Sequence, residues 1–354
     1  MKKFITNISL FVIFVILVYW SLIIIWGNYM PPSFNQNLNY RIGSYGHMYS
    51  RINELKKTKD VDILFLGSSH AYRGFDTRIF KNSGYRSFNL GSSGQTPIQT
   101  NILLERYLDT LNPKLIIYEV FPSTFSSDGV ESSVDLIAND KIDFKTFRMA
   151  IELNNVKTYN TLLYGYYRQL FDKDKGFEEG VLKGDDRYVP GGFVEQKLVY
   201  NNAAAAKAEM IDWTPKPYQI KAFENILKLI KEKQIELILV QSPVTRIAFK
   251  KYKNNKNIDA YFSKKAEYYN FNYLVNMNDI LNFYDENHLN QEGVKVFKEG
   301  VRDALYFFTF EVLCIIRVCN ILCISIAVTA ASAQVFGRST LLVRQEHVRG
   351  GACV

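Results

Sequence analysis

Cysteine is nearly absent from this chain: there are four in 354 residues, and none precedes Cys314. No Cys-x-x-Cys pair and no His/Cys spacing suited to a metal occurs, which excludes a disulfide framework and a structural metal site, so no metal and no cofactor is expected. A body without cysteine is compatible with an unstapled domain outside the cytoplasm. Lysine is absent beyond Lys298, and a dense basic cluster is absent throughout, although the net charge is +8. Scattered positive charge suits a protein near anionic surfaces and gives no reason to expect a nucleic-acid partner. General disorder is excluded by 47% hydrophobic and 14% aromatic residues.

Charge is also missing from Phe4 to Trp26, a run of 23 residues preceded by Lys2 and Lys3. That length spans a bilayer as a helix and exceeds a usual signal-peptide core, and no small-x-small cleavage site follows. Residues 1–30 are therefore read as an uncleaved anchor at the cell membrane. No Lys or Arg appears after it until Arg41, so the positive-inside bias leaves a short cytoplasmic amino terminus and an extracytoplasmic body. Residues 31–60, with Tyr40, Tyr45 and Tyr49, form a connector leading into an amphipathic helix around Met48–Lys57.

An α/β rhythm then begins. Val61–Leu66 is apolar enough for a buried parallel strand, and Phe75–Asn82 follows as a short helix. Arg86–Leu90 is a second strand, Pro97–Leu111 a helix with proline at its start, and Lys114–Phe121 a third strand. Residues 122–214 break the rhythm as an insertion over the active edge, helical near Asp143–Leu153 and Tyr159–Phe171, open between a role in substrate recognition and a purely structural excursion. It resumes with helix Pro217–Lys233, strand Ile235–Val240, a fifth strand at Phe271–Val275 and a closing helix from Asn290 to Phe307. The class is α/β: a flavodoxin-like three-layer sandwich on a central parallel sheet of about five strands over residues 61–307, plus the N-terminal transmembrane helix. Residues 308–354 change character and read as an atypical hydrophobic tail, in which Val318–Val335 has the composition of a second membrane helix.

The first strand ends abruptly in Gly67-Ser68-Ser69-His70, which puts a serine where open α/β sheets place their chemistry. The alternative is a polar turn capping the next helix. Far along the chain, Asp285-Glu286-Asn287-His288 supplies an aspartate and a histidine from one turn. A serine hydroxyl needs a base to take its proton, and the base needs a third group to hold its tautomer. Ser69, His288 and Asp285 offer those three roles. Gly94, in Gly91-Ser92-Ser93-Gly94, offers a backbone N–H for a developing oxyanion, and the N–H of Ser69 offers a second. His70 is read as structural or in contact with substrate. Arg73 and Asp76 are read as a turn pair and helix cap, with Arg73 also a candidate contact for an anionic substrate. Tyr164, Tyr166, Tyr167 and Arg168 are read as a core and rim helix, and His47 and His347 as surface residues.

These blocks resemble the SGNH, or GDSL-like, hydrolase superfamily, in order, over most of Val61–Phe307. In that family a Gly-x-Ser block carries the nucleophile, here Ser69. Its Asn-x-Gly-x-x-Gly-x-Thr block matches Asn89–Thr96, whose second glycine, the oxyanion donor, falls on Gly94. Its Asp-x-x-His-Leu block matches Asp285–Leu289. The chain departs from the pattern where the third strand ends in Glu119-Val120-Phe121-Pro122-Ser123, without the family's oxyanion asparagine; Ser123 is the candidate to stand in. The anchor and the Gly-Ser-Ser-His opening look like the envelope branch, which includes alginate O-acetylation and teichoic-acid D-alanyl transfer proteins. That resemblance implies a serine esterase or acyltransferase on O-acyl groups of cell-envelope glycans, acetyl first among them, with an acylated surface polymer as substrate and a membrane-bound acyltransferase as partner. The alternative is a catalytically inactive module of the same fold that binds polysaccharide or scaffolds such an acyltransferase.

Overall fold

The computed structural model describes residues 1–39, 41–202 and 209–302. The tail over 308–354, the segment Val318–Val335, His347 and all four cysteines lie outside them. The long uncharged run forms one helix, α1 (Lys2–Tyr29), and the connector contributes α2 (Met48–Leu55), whose Met48, Ile52 and Leu55 enter the core. Then come β1 (Ile63–Leu66), α3 (Ser69–Gly74), α4 (Thr77–Asn82), β2 (Ser87–Asn89), α5 (Pro97–Leu111) and β3 (Leu115–Glu119). Residues 122–214 hold α6 (Pro122–Ser126), α7 (Val130–Asn139), α8 (Phe144–Leu153) and α9 (Val156–Leu170). They also hold a three-stranded antiparallel sheet of β4 (Leu182–Lys183), β5 (Asp186–Val189) and β6 (Phe193–Gln196). The chain continues through α10 (Pro217–Glu232), β7 (Glu236–Gln241), α11 (Arg246–Lys250), α12 (Asn255–Ser263), β8 (Glu267–Asn270) and α13 (Phe271–Leu274), and residues 291–302 are helical.

The main sheet has the order β2-β1-β3-β7-β8 with every pair parallel. Counting only its own strands this is 2-1-3-4-5, the flavodoxin-like order, so the α/β sandwich read from the sequence is the observed one. All four residues of β1 are buried, and they divide by alternation. Leu64 and Leu66 join the layer built by α5, α7 and α10 through Leu103, Leu104, Ile137, Phe223 and Ile226. Phe65 faces the other layer, stacking on Phe75 at 4.6 Å, which in turn meets Phe297 at 5.2 Å.

Two local readings need correcting. The fifth strand lies at Glu267–Asn270, and Phe271–Leu274 is helical. Asn270 stops the strand because its side chain accepts the backbone N–H of Asn272 and so caps the helix. A polar edge strand beside β7 carried no apolar run to betray it. The helix expected from Phe75 starts at Thr77, where Asp76 accepts the N–H of Arg78, and a separate helix, α3, precedes it, capped by Ser68. Gly-Ser-Ser is therefore both the end of a strand and a helix start.

Gly67 makes that junction sterically feasible. Its φ is +134°, and a Cβ there would stand 2.8 Å from the Glu119 carbonyl oxygen. Gly67→Ala is expected to cost about 2–4 kcal/mol from backbone strain and forced displacement of β3. Thermal unfolding should register this as a Tm lower by roughly 5 °C or more; an unchanged Tm would contradict the close approach.

Candidate active site

The strand-to-helix turn at Gly67 brings Ser69 to the carboxyl end of β1, at the point where β2 and β3 diverge to either side. Ser69 is the first residue of α3 and half-buried. The loop after α13 reaches the same edge through a turn organised by one carboxylate. Asp285 Oδ1 accepts the backbone N–H groups of Asn287 at 2.8 Å and His288 at 2.7 Å. The same carboxylate meets His288 Nδ1 at 2.8 Å through Oδ2, and His288 Nε2 lies 2.8 Å from Ser69 Oγ. With Nδ1–H donating to Asp285, Nε2 presents its lone pair to the serine hydroxyl; that tautomer is assigned from the partners. The three residues named from the sequence thus stand in one hydrogen-bonded line.

The His288 ring is stacked by two neighbours, Tyr284 at 5.4 Å and 6° and His70 at 5.0 Å and 24°. Arg73 lies over the Tyr284 ring and is tied to Asp186 of β5 by two hydrogen bonds of 2.7 and 2.8 Å, with Gln196 at 3.0 Å. It is therefore an internal brace between α3 and the antiparallel sheet, and the turn pair with Asp76 does not form: Asp76 pairs with Arg78. Burial lifts the Asp285 carboxyl, but the hydrogen bonds from the His288 ring and the two backbone N–H groups outweigh it, holding the group below the usual carboxylate range.

Beneath His288 runs a buried chain the sequence reading missed. Glu119, at the end of β3, accepts the Ser68 hydroxyl at 3.2 Å, and Ser68 Oγ lies 3.0 Å from His70 Nδ1. His70 Nε2 is buried without a well-formed partner, the Asn287 carbonyl being the backbone group that faces the ring. Burial, then the neighbouring His288, push the His70 imidazole well below its ordinary value despite the opposing field of Asp285. Burial likewise lifts Glu119 to about 8 against the hydrogen bonds from Ser68 and nearby backbone. Both groups are neutral near pH 7, so a positive charge on His288 meets no second cation. The one signal in the sequence was a glutamate ending an apolar strand.

Glu119 gives a pH signature. It is protonated in the fold and ionised when unfolded, so its contribution to stability is complete below about 4.3 and is lost as pH rises toward 8. The loss is roughly 4–5 kcal/mol across that window. His70 acts with the opposite slope, stabilising above about 6.5, so the difference between two proteins isolates Glu119. Glu119→Gln should gain in Tm relative to the wild type between pH 5 and 8, and parallel Tm–pH curves would show Glu119 ionised in the fold.

The remaining expected residues are placed differently. Gly94 sits in a turn at φ +56° with the Glu131 carboxylate as its neighbour, and Ser123 lies exposed on α6, its hydroxyl engaged by Tyr252. Neither is hydrogen bonded to Ser69 or His288. The backbone N–H groups of Ser69 and Gly94 have no partner among the described residues. His47 is buried against Glu179 and Tyr188, a correction to its reading as a surface residue: it starts α2 in a left-handed conformation under the antiparallel sheet. The Ser69–His288–Asp285 line opens at the carboxyl end of the sheet and does not line the cleft of about 650 Å³ among Tyr29, Arg41, Tyr164 and Lys173.

No family model matches the chain, and no curated protein matches it. Solved structures of low similarity include a candidate acylhydrolase from Bacteroides fragilis NCTC 9343, at 13% identity and TM-score 0.37, covering 73% of this chain and 94% of that one. A GDSL-like lipase from Bacteroides thetaiotaomicron VPI-5482 has 14% identity and TM-score 0.38 over 73% and 97% of the two chains. A candidate platelet activating factor from Streptococcus pneumonia has 12% identity and TM-score 0.38 over 72% and 92%.

Proposed function

We propose that the chain is a membrane-anchored serine esterase or acyltransferase of the SGNH type, acting outside the cytoplasm on O-acyl groups of cell-envelope glycans. The observation that carries this reading is the line Ser69 Oγ, His288 Nε2, His288 Nδ1, Asp285 Oδ2, with 2.8 Å at each hydrogen bond. In the first step Ser69 Oγ bonds to the acyl carbonyl carbon and its proton passes to His288 Nε2. The tetrahedral oxyanion collapses, the ester C–O bond breaks, and the departing hydroxyl takes the proton from His288. Water or a glycan hydroxyl then gives its proton to His288 and attacks the acyl carbon; the second tetrahedral intermediate collapses, the bond from Ser69 Oγ to the acyl carbon breaks, and Oγ takes the proton back from His288 Nε2. The backbone N–H groups of Ser69 and Gly94 are the donors assigned to the oxyanion.

Two features support a polymer as substrate. The triad stands at an open edge, with the Asp285 side chain 45% exposed, and the apolar helix α1 would keep that edge near the envelope. An acetyl group is the acyl chain this reading favours, and a membrane-bound acyltransferase the partner. The full-length protein is expected to be labelled by a fluorophosphonate at Ser69, identified by peptide mass spectrometry. Absence of labelling on folded protein would favour the second reading, a binding or scaffolding module, which is motivated by the missing asparagine after β3 and by the engagement of Ser123 with Tyr252. Transfer is separated from hydrolysis by supplying an acetyl donor with and without an oligosaccharide and measuring acetylated glycan against free acetate.

A further inference from the structure

The anchor helix does not leave the body at its end. Tyr19 donates to Asn160 at 2.6 Å, the Trp20 indole donates to the Leu163 carbonyl at 3.0 Å, and Ile23 and Gly27 are buried against α9. Phe4–Val18, 15 uncharged residues, precede the first residue of α1 that is hydrogen bonded to the body, Tyr19. At a rise of 1.5 Å per residue that stretch covers about 22 Å, while the hydrocarbon core measures about 30 Å. The remaining ~8 Å has to come from the turns beginning at Tyr19, and those turns are bolted to α9. The part of the body around α9 is thereby drawn down to the acyl boundary.

The side chains there are suited to it. On α8, Phe144, Phe147 and Ile151 fall on one face and stand 81%, 39% and 68% exposed. Lys145 and Arg148 of the same helix turn toward Glu105 of α5. The Tyr166 ring on α9 joins this face to the anchor, lying 6.5 Å from Phe147 and 6.2 Å from Trp20. Val156 and Leu170 extend the apolar surface along α9. From these observations we propose that the α8 face, Phe144, Phe147 and Ile151, inserts into the lipid surface beside α1 as a second, monotopic attachment. The proposal rests on the reading of α1 as a membrane helix. Insertion to a depth of about 5–10 Å is what a short helix with one apolar and one charged face achieves, and it matches the shortfall in the span. Two attachments fix the body's orientation, so that the triad edge is held at a constant angle to the membrane and does not swing on a single tether.

The test uses the full-length chain in vesicles of phosphatidylethanolamine and phosphatidylglycerol, with Cys314, Cys319, Cys323 and Cys353 replaced by serine. Single cysteines carrying a nitroxide are introduced as Phe144→Cys, Phe147→Cys and Ile151→Cys, with Ile13→Cys in α1 and Lys228→Cys on α10 as references. Collision with oxygen should exceed collision with a water-soluble nickel chelate at positions 144, 147 and 151, as at 13, and the order should reverse at 228. Water-like accessibility on α8 with a lipid signal at 13 overturns the attachment while leaving the anchor intact. Low accessibility to both probes on α8 places protein, a second copy of the chain, on this face and equally overturns it. A water-like signal at 13 overturns the membrane helix itself, and the attachment with it.

Discussion

Ser69→Ala is expected to lower ester cleavage by about 10³-fold or more and to abolish fluorophosphonate labelling, with little change in thermal stability. The size follows from the chemistry. Without the hydroxyl no acyl-enzyme forms, and His288 can at most assist direct attack by water from a position set for Oγ. Stability should hold because Ser69 Oγ makes its one described hydrogen bond to His288 at a half-buried site, while capping of α3 belongs to Ser68. p-Nitrophenyl acetate hydrolysis by wild type and variant, with matched Tm values, checks both parts. Equal rates would remove simple hydrolysis through Ser69, and acyl transfer to a glycan would then be the activity left to compare. The neighbouring Ser68→Ala variant is the contrast: it breaks the cap and the bond to Glu119, so its loss should appear mainly in Tm.

The sequence disclosed the parts of this site whose geometry is local. Asp285 and His288 lie within one turn, so a carboxylate accepting the N–H groups of residues two and three positions on already brings the ring within reach. Helix α5 was readable to its bounds because Pro97 opens it and Thr96 caps it. Strands β1, β3 and β7 were readable because burial on both faces leaves continuous apolar runs. Long-range partnerships left no such trace. Arg73 meets Asp186 across 113 residues, and only the antiparallel sheet, itself unread, makes them neighbours. His47 looked like a surface residue because its burial depends on that same sheet. The chain Glu119–Ser68–His70 joins residues on two strand ends, and nothing in either segment alone specifies that they share a proton network. β8 was misplaced because an edge strand can be polar, whereas Phe271 beyond it is buried by packing on Phe297 from a helical turn.

Asp285→Asn carries the second large expected effect, and it isolates the orientation of His288 from the fold of its loop. The substituted amide oxygen can still accept the backbone N–H groups of Asn287 and His288, now served by Oδ1, so the turn persists. The amide nitrogen then stands where Oδ2 accepts the proton on His288 Nδ1. A donor facing Nδ1 selects the tautomer protonated on Nε2, which has no lone pair for the Ser69 proton. Loss of about 10⁴-fold is usual when an orienting aspartate is treated this way; with the Asp285 side chain 45% exposed, water competes for the same positions, and a loss of roughly 10²–10⁴ is expected here. Because the folded carboxyl is held below its unfolded value, its contribution to stability is present above about 4 and disappears as pH falls through the folded value; at pH 7 the variant should therefore be slightly less stable, and in acid equal to the wild type. Asp285→Ala differs by removing the turn's acceptor as well, so its Tm should fall further at every pH above that range. Rates within threefold of wild type in Asp285→Asn would show that stacking by Tyr284 and His70 suffices to hold the ring, leaving a serine–histidine pair as the working unit.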